Sequence, residues 1–227
     1  MRKMNPMQLE QLKISDSLRD LARIGVLLLD GVVNSPGDAA LERKTEESCR
    51  ELRERYSGRK PAEIEVLDGA RRLYRRTGVD PTRERPSSER LLRRVLKGQA
   101  PGKINTLVDC INLVSLELQC PLGLYDLESL AAPVEIRIGC PGEHFRGIHD
   151  RIVNLEGKPV AADREGPFGN PSYDSHRTRA GIQTTRAMVL CWTPIETPLK
   201  YIRTVQEELA RRTGQYCQAG TGESCIL

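Results

Sequence analysis

The pattern of apolar and polar positions changes character midway along the chain. The first 20 residues are mostly polar and read as an irregular lead with at most a short strand. Ile24 to Asp30 is an apolar run continued by Val32 and Val33 and closed by Asn34-Ser-Pro-Gly37, the signature of a buried strand. Asp38 is placed to cap a helix reaching about Tyr56, with Leu41, Thr45, Cys49, Leu52 and Tyr56 along one stripe. Pro61 opens a second helix that ends at Gly78, with Val66, Leu67, Ala70, Leu73 and Tyr74 turned inward. After Pro86, Ser87 and Ser88 offer capping hydroxyls for a third helix that buries Leu91, Leu92, Val95 and Leu96. Asn105 caps a fourth, whose apolar side is Ile104, Leu107, Val108, Ile111, Val114 and Leu118.

Beyond Pro121 the period shortens toward that of strands. Val134 to Ile138 alternates, and Arg151–Leu155 with Pro159–Asp163 reads as a hairpin turned through Glu156-Gly157-Lys158. Glu165 to His176 is rich in Gly, Pro, Asn and Ser and reads as a long loop. Ala187 to Trp192 is another buried strand. Pro198 to about Arg212 is an amphipathic helix, with Leu199, Ile202, Val205 and Leu209 inward and Gly214 as its stop. Helices first and strands later predict an α+β domain with mixed sheet and flanking helices. Residues 1–60 read as a strand–helix extension packing on a core domain of residues 61–227.

Composition narrows the class. The chain has 227 residues, 38% apolar and 29% charged, with only 4% aromatic, so Leu, Val, Ile and Ala must fill the core. No stretch approaches the roughly 18–20 apolar residues that span a bilayer. Polar residues follow Arg2 and Lys3 too closely for an export signal, so a cytoplasmic setting without membrane attachment is expected. Cys225 stands third from the end, not fourth as a prenylation box requires. The seven cysteines are odd in number and none are CxxC-spaced. They read as reduced thiols, with Cys110 and Cys191 as small core hydrophobes. His144, His149 and His176 lack metal-ligand spacing, and no phosphate-binding glycine loop or GxSxG elbow occurs, so no cofactor is expected.

Charge adds a partner. The formal net charge is only +4, but residues 71–97 alone carry +7. A basic block on a near-neutral body fits a polyanion such as RNA, with Arg90, Arg93, Arg94 and Lys97 as phosphate contacts. A merely solvated helical face is the plainer reading of the same run.

Two segments carry candidate chemistry. The first runs from Pro86-Ser-Ser-Glu-Arg-Leu-Leu-Arg-Arg-Val95 through Lys103-Ile-Asn-Thr-Leu-Val-Asp-Cys-Ile-Asn112 and Leu116-Glu117 to Pro121-Leu-Gly-Leu-Tyr-Asp-Leu127. The second runs from Val134-Glu-Ile-Arg137 through Ala162-Asp163 to Thr184-Thr185. Asn105, Asp109 and Asn112 are spaced to share one helical face. The ordered set, over about Ala62 to Ile195, resembles the B3/B4 editing domain of the phenylalanyl-tRNA synthetase beta subunit. It is still more similar to free-standing B3/4 proteins, in which the Pro-x-Gly-x-Tyr-Asp and Arg-Pro-Ser-Ser-Glu patterns also occur.

That resemblance implies hydrolysis of tyrosine mistakenly joined to phenylalanine tRNA, in a pocket between the Asn105–Asn112 helix, the Pro121-Leu122 turn and the later glycine-rich loop. It implies the aminoacylated 3′ end of tRNA as partner, with a synthetase as a further one, and no DNA. Asn105, Asp109, Asn112, Gly123, Thr184 and Thr185 are then expected to line the substrate site. His176, Glu117 and Asp163 are the candidates for activating or ordering water. Each has a plainer reading: an exposed loop histidine, an ion-paired glutamate and a turn aspartate. The chain departs from the bacterial synthetase pattern at two places. Gly123 stands where a histidine follows Pro-Leu, and Gly102 where an arginine precedes Ile-Asn. A non-catalytic module that binds RNA, tRNA or an amino acid is therefore the alternative.

Overall fold

The computed structural model describes residues 8–148 and 150–227, the Thr221 side chain excepted. Residues 1–7 of the expected irregular lead, and His149, lie outside the described residues. In chain order the elements are β1 (Leu12–Ile14), α1 (Asp16–Arg19), β2 (Ala22–Asp30), α2 (Ala39–Arg55), α3 (Asp68–Arg76), α4 (Ser87–Leu96), α5 (Thr106–Leu118), β3 (Leu122–Asp126), β4 (Val134–Ile138), β5 (His144–Arg146), β6 (Ile152–Asn154), β7 (Pro159–Asp163), β8 (Gly166–Gly169), β9 (Ala187–Pro194), α6 (Leu199–Cys217) and β10 (Gly220–Ile226). This is an α+β fold.

Two four-stranded sheets organise it. One has the order β1-β4-β7-β8 and is mixed, because β1 runs parallel to β4; the other has the order β10-β2-β9-β3 and is antiparallel throughout. The second sheet is covered on both faces, so its inner strands are apolar at nearly every position. Alternation decides which core each residue joins. Leu27, Leu29, Leu122, Leu124, Val189 and Cys191 face α5 and α6. Ile24, Val26, Leu28, Tyr125, Met188, Leu190 and Trp192 face the other sheet. At Gly25 the approach of α6 is so close that a Cβ would lie 2.6 Å from Ile202.

Residues 8–60 are woven into this frame. β2 lies between β10 and β9, and β1 edges the mixed sheet. The Asp38 carboxylate accepts from the Ala40 and Leu41 N–H groups, and Asn105 Oδ1 accepts from Val108 N–H, so both expected caps are present.

Several expectations are corrected. Ser87 and Ser88 do not cap α4: Pro86 holds the N-cap position, and both serine hydroxyls are buried without a partner among the described residues. Pro61 begins two 3-10 turns rather than a helix, and α3 starts at Asp68. The 151–155/159–163 hairpin does not form. β6 pairs with β5, while β7 pairs with β4 and β8. The segment 165–176 contains β8, an edge strand that tolerates its proline and glycines. α6 continues past Gly214 to Cys217 and stops at Gln218 in the left-handed conformation. Val66, Ile104 and Leu199 are exposed.

Candidate functional site

A cavity of about 340 Å³ opens where α5 crosses β3. Its apolar wall is Val108, Ile111, Leu122, Leu124 and Ala180, with Ile104 and Ile148 at its edge. Asn105, Asn112, Asp174 and Arg179 supply the polar groups. A mixed lining of this size suits a small ligand moiety. Open grooves of about 730 Å³ beside α6 and β10, and about 430 Å³ beside α3, hold none of these four polar residues.

The third wall is built by a stitched segment. Ser175 N–H donates to Phe168, His176 N–H to Arg146 and Asp126 N–H to Thr178. Single bridges join Gly169 to Asp174 and Tyr125 to Arg179. Residues 174–179 thus run from β8 across to β3 and bring Asp174 and Arg179 to opposite α5.

Asp174 is half-buried, and its Oδ1 is wholly so. That oxygen and the neighbouring Tyr125 hydroxyl both lack a well-formed hydrogen bond among the described residues, as does Trp192 Nε1. Burial pushes the Asp174 carboxyl up to about 7, against the opposing pull of the Tyr125 hydroxyl, the Leu124 N–H and the Arg90 charge. Tyr125 is itself fixed edge-on against Phe168, with ring centroids 4.7 Å apart. Its hydroxyl lies between Gly123 and Gly169, where a Cβ at either position would overlap it. The Gly-x-Tyr of the motif is therefore a steric couple: the hydroxyl of residue 125 occupies the space beside Cα of residue 123.

The expected residues separate into groups. Asn105 and Asn112 line the cavity, and Gly123 lies between the lining residues Leu122 and Leu124. Asn105 uses Oδ1 as a cap and keeps its amide N–H₂ free among the described residues, while Asn112 makes no side-chain hydrogen bond there. Asp109 turns the other way. It accepts from Ile104 N–H at 3.1 Å and faces a small acidic niche with Asp38, Glu42 and Glu46, where burial lifts it to about 6. Thr184 is buried, donates to Asp126 at 2.8 Å and accepts from Gly181 N–H, so it braces the cavity loop; Thr185 is exposed.

His176 stands beside the cavity, with Nε2 2.5 Å from Arg179 Nη1. Glu117 is engaged on the far side of α5, 2.6 Å from Arg212 and 2.5 Å from Ser48. Asp163 makes a two-pronged pair with Arg177 and accepts from Ala131 N–H. Arg93 is bound to Glu89 at 2.7 Å, Arg90 lies 4.3 Å over the Tyr173 ring, and Arg94 donates to Ala100; Lys97 is exposed. Asp174 and Arg179 were missed in the sequence. Asp174 stands two residues before His176 in the segment read as a long loop, and its distance from α5 in the chain hides it.

The fold and cavity define an α+β domain with a helix–strand pocket closed by a loop. Residues 69–197, more than half of the chain, match the family described as the B3/4 domain, and the chain belongs to that family. It is similar to the phenylalanine–tRNA ligase beta subunit of Thermobifida fusca, at 29% identity over 69% of this chain and 19% of that one. It is also similar to that of Xanthomonas oryzae pv. oryzae, at 35% over 37% and 11%, and of Bartonella henselae, at 30% over 38% and 11%. The matched region is thus a tenth to a fifth of those relatives' length. A crystal structure of an N-terminal fragment of the phenylalanyl-tRNA synthetase beta subunit from Pyrococcus horikoshii aligns over 95% of this chain and 49% of that one, at 11% identity and a TM-score of 0.48. No helix among the described residues is long and apolar enough to cross a membrane.

Proposed function

We propose that this chain binds the aminoacylated 3′ end of a tRNA and hydrolyses the ester of a mischarged one, tyrosyl-tRNA(Phe) being the first substrate to try. The observation that supports this most is the convergence of Asn105, Asn112 and Asp174 on one cavity beneath a loop. The cavity has room for one amino-acid side chain and part of the ribose that bears it.

An aminoacyl ester is already reactive, so positioned water and a stabilised oxyanion suffice. Asp174 is assigned as general base, because burial places its carboxyl at about 7, where it exchanges protons near neutral pH. It takes a proton from water as the oxygen attacks the ester carbon. The amide N–H₂ groups of Asn105 and Asn112 donate to the oxyanion. The carbon–oxygen bond to ribose then breaks, and the leaving hydroxyl recovers the proton from Asp174. His176 holds Arg179 at the mouth.

Radiolabelled aminoacyl-tRNAs, starting with tyrosyl- and phenylalanyl-tRNA(Phe), test the reading. Rapid release of one amino acid is expected, with Asp174→Asn slowing it roughly 100-fold or more. His176→Ala should fall by a much smaller factor. Binding without release across the panel would replace the hydrolase with a non-catalytic tRNA-binding module.

A further inference from the structure

We infer that the mouth of the cavity, formed by Ile148, Arg151 and Ile152 and by residues 179–182, holds the single-stranded 3′-terminal nucleotides of an RNA, and that helix α4 does not. This rests on the aminoacyl-tRNA reading and assigns its docking surface.

The first observation is where the exposed apolar side chains lie. Among the described residues seven large ones are exposed, and four are isoleucines: Ile104, Ile148, Ile152 and Ile182. Ile104 and Ile148 line the cavity, and Ile182 follows Gly181, which also lines it. Ile152 stands opposite Arg146 in the hairpin, one residue from Arg151. Exposed apolar groups gathered at one opening mark a contact surface more strongly than scattered ones.

The second observation is which cations are free. Arg151 is exposed and makes no ion pair among the described residues; its guanidinium lies 5.7 Å from the Tyr173 ring. Arg179 is exposed and touches His176 but no carboxylate among the described residues. The basic block of residues 71–97 is different. Glu89, with a side chain only 1% exposed, gathers Arg71 and Arg93, while Asp68 and Glu196 hold Arg72, Arg75 and Arg76. Asp80 faces Arg83, Arg90 covers Tyr173 and Arg94 reaches a backbone carbonyl. Most cations of the block are thus already engaged, at Glu89 around a buried carboxylate and at Asp68, Asp80 and Glu196 in exposed pairs, although the block keeps a net positive charge.

A strand end presents phosphates, which need unpaired cations, and base and sugar faces, which need apolar cover. The mouth offers Arg151 and Arg179 for the former and the isoleucines for the latter. It is also continuous with the cavity, so a terminal ribose there would deliver its ester to Asn112 and Asp174.

Fluorescence anisotropy with an uncharged RNA minihelix, made with and without a single-stranded 3′ CCA tail, tests this. The wild-type chain should favour the tailed probe. Arg151→Glu with Arg179→Glu should weaken tailed binding at least about 10-fold and lower the salt slope by about two. Ile148→Ser with Ile152→Ser should reduce the preference for the tail and leave the salt slope alone. Arg94→Glu with Lys97→Glu should bind as the wild type does. All six positions are exposed, so matching melting curves would confirm intact folds. Loss of binding in the α4 variant with the mouth variants unaffected would overturn this inference and leave the tRNA reading standing. Equal affinity for both probes, or none, would overturn it too. No binding combined with no ester release in the panel would end the tRNA reading as well.

Discussion

At Asp174 the proposed chemistry of the cavity meets the stability of the fold. An aspartate unfolds to a pKa of about 3.9, whereas burial lifts this one to about 7 in the folded chain. Between those values the folded state holds the proton more tightly, so stability falls as pH rises and the full penalty is present above about 7. Asp174→Asn removes the penalty. It should unfold at a higher temperature than the wild type at pH 8, with the gain vanishing toward pH 4 in thermal scans. A base at this position works only when ionised, so the proposed deacylation should rise with pH through about 7. Stability would then be lost over the range in which activity is gained. Gly123 and Tyr125 form a second residue-level test. A methyl at position 123 overlaps the tyrosine hydroxyl, so Gly123→Ala should cost roughly 1–3 kcal/mol. Adding Tyr125→Phe should recover part of it. A double-mutant cycle in urea reads the coupling, and strict additivity would show that the two residues do not meet.

Among the elements, α4 changes meaning most between sequence and structure. Arg93 of α4 and Arg71 of α3 both serve Glu89, whose burial would raise its pKa but whose hydrogen bonds from these two arginines hold it below the ordinary range. That stability is present above the unfolded value and lost as pH falls through the folded one. Glu89→Ala leaves the partly exposed Arg71 and Arg93 guanidinium groups unmatched and should cost about 1–3 kcal/mol in urea unfolding. The helix also holds the cavity loop from behind: Arg90 reaches the Ser172 carbonyl, and Ser87 N–H donates to Pro171. α5 divides its polar residues between two surroundings. Asn105 and Asn112 look into the cavity, while Asp109 ties down the chain before the helix. Asn105→Ala removes the cap and should cost about 1 kcal/mol, along with a donor to the cavity.

For the whole molecule, the arrangement of sheets controls both the core and the site. β10 pairs with β2 across Gly220–Ile226, so the chain's last strand covers an inner strand's edge. Deleting residues 219–227 should expose that edge and abolish cooperative unfolding, with aggregation visible on size exclusion. A sharp melt of the truncated chain would show the antiparallel sheet to be stable with three strands. The cavity is likewise a property of the whole. Its lining comes from residues 104–112, 122–124, 148 and 174–181, which meet only because β3 lies between α5 and the 174–179 segment.

Local chemistry in the sequence determined the long helices, the strands β2, β4 and β9 and the caps at Asp38 and Asn105, because periodicity and capping act within a few residues. The ordered motifs along Asn105–Asp126 also marked one side of the site before any packing was known. Tertiary structure alone decided the rest. Arg151–Leu155 has strand character compatible with either neighbour, and burial of Phe145 with Val153 accompanies its pairing with β5. β10 lacks an apolar run of its own and is a strand because β2 offers it an edge. Glu117 and Asp163 carry the same carboxylate as Asp174, yet arginines hold them elsewhere, and only Asp174 lines the cavity. Which charges face one another depends on contacts between residues far apart in the chain, and such contacts leave no local signature.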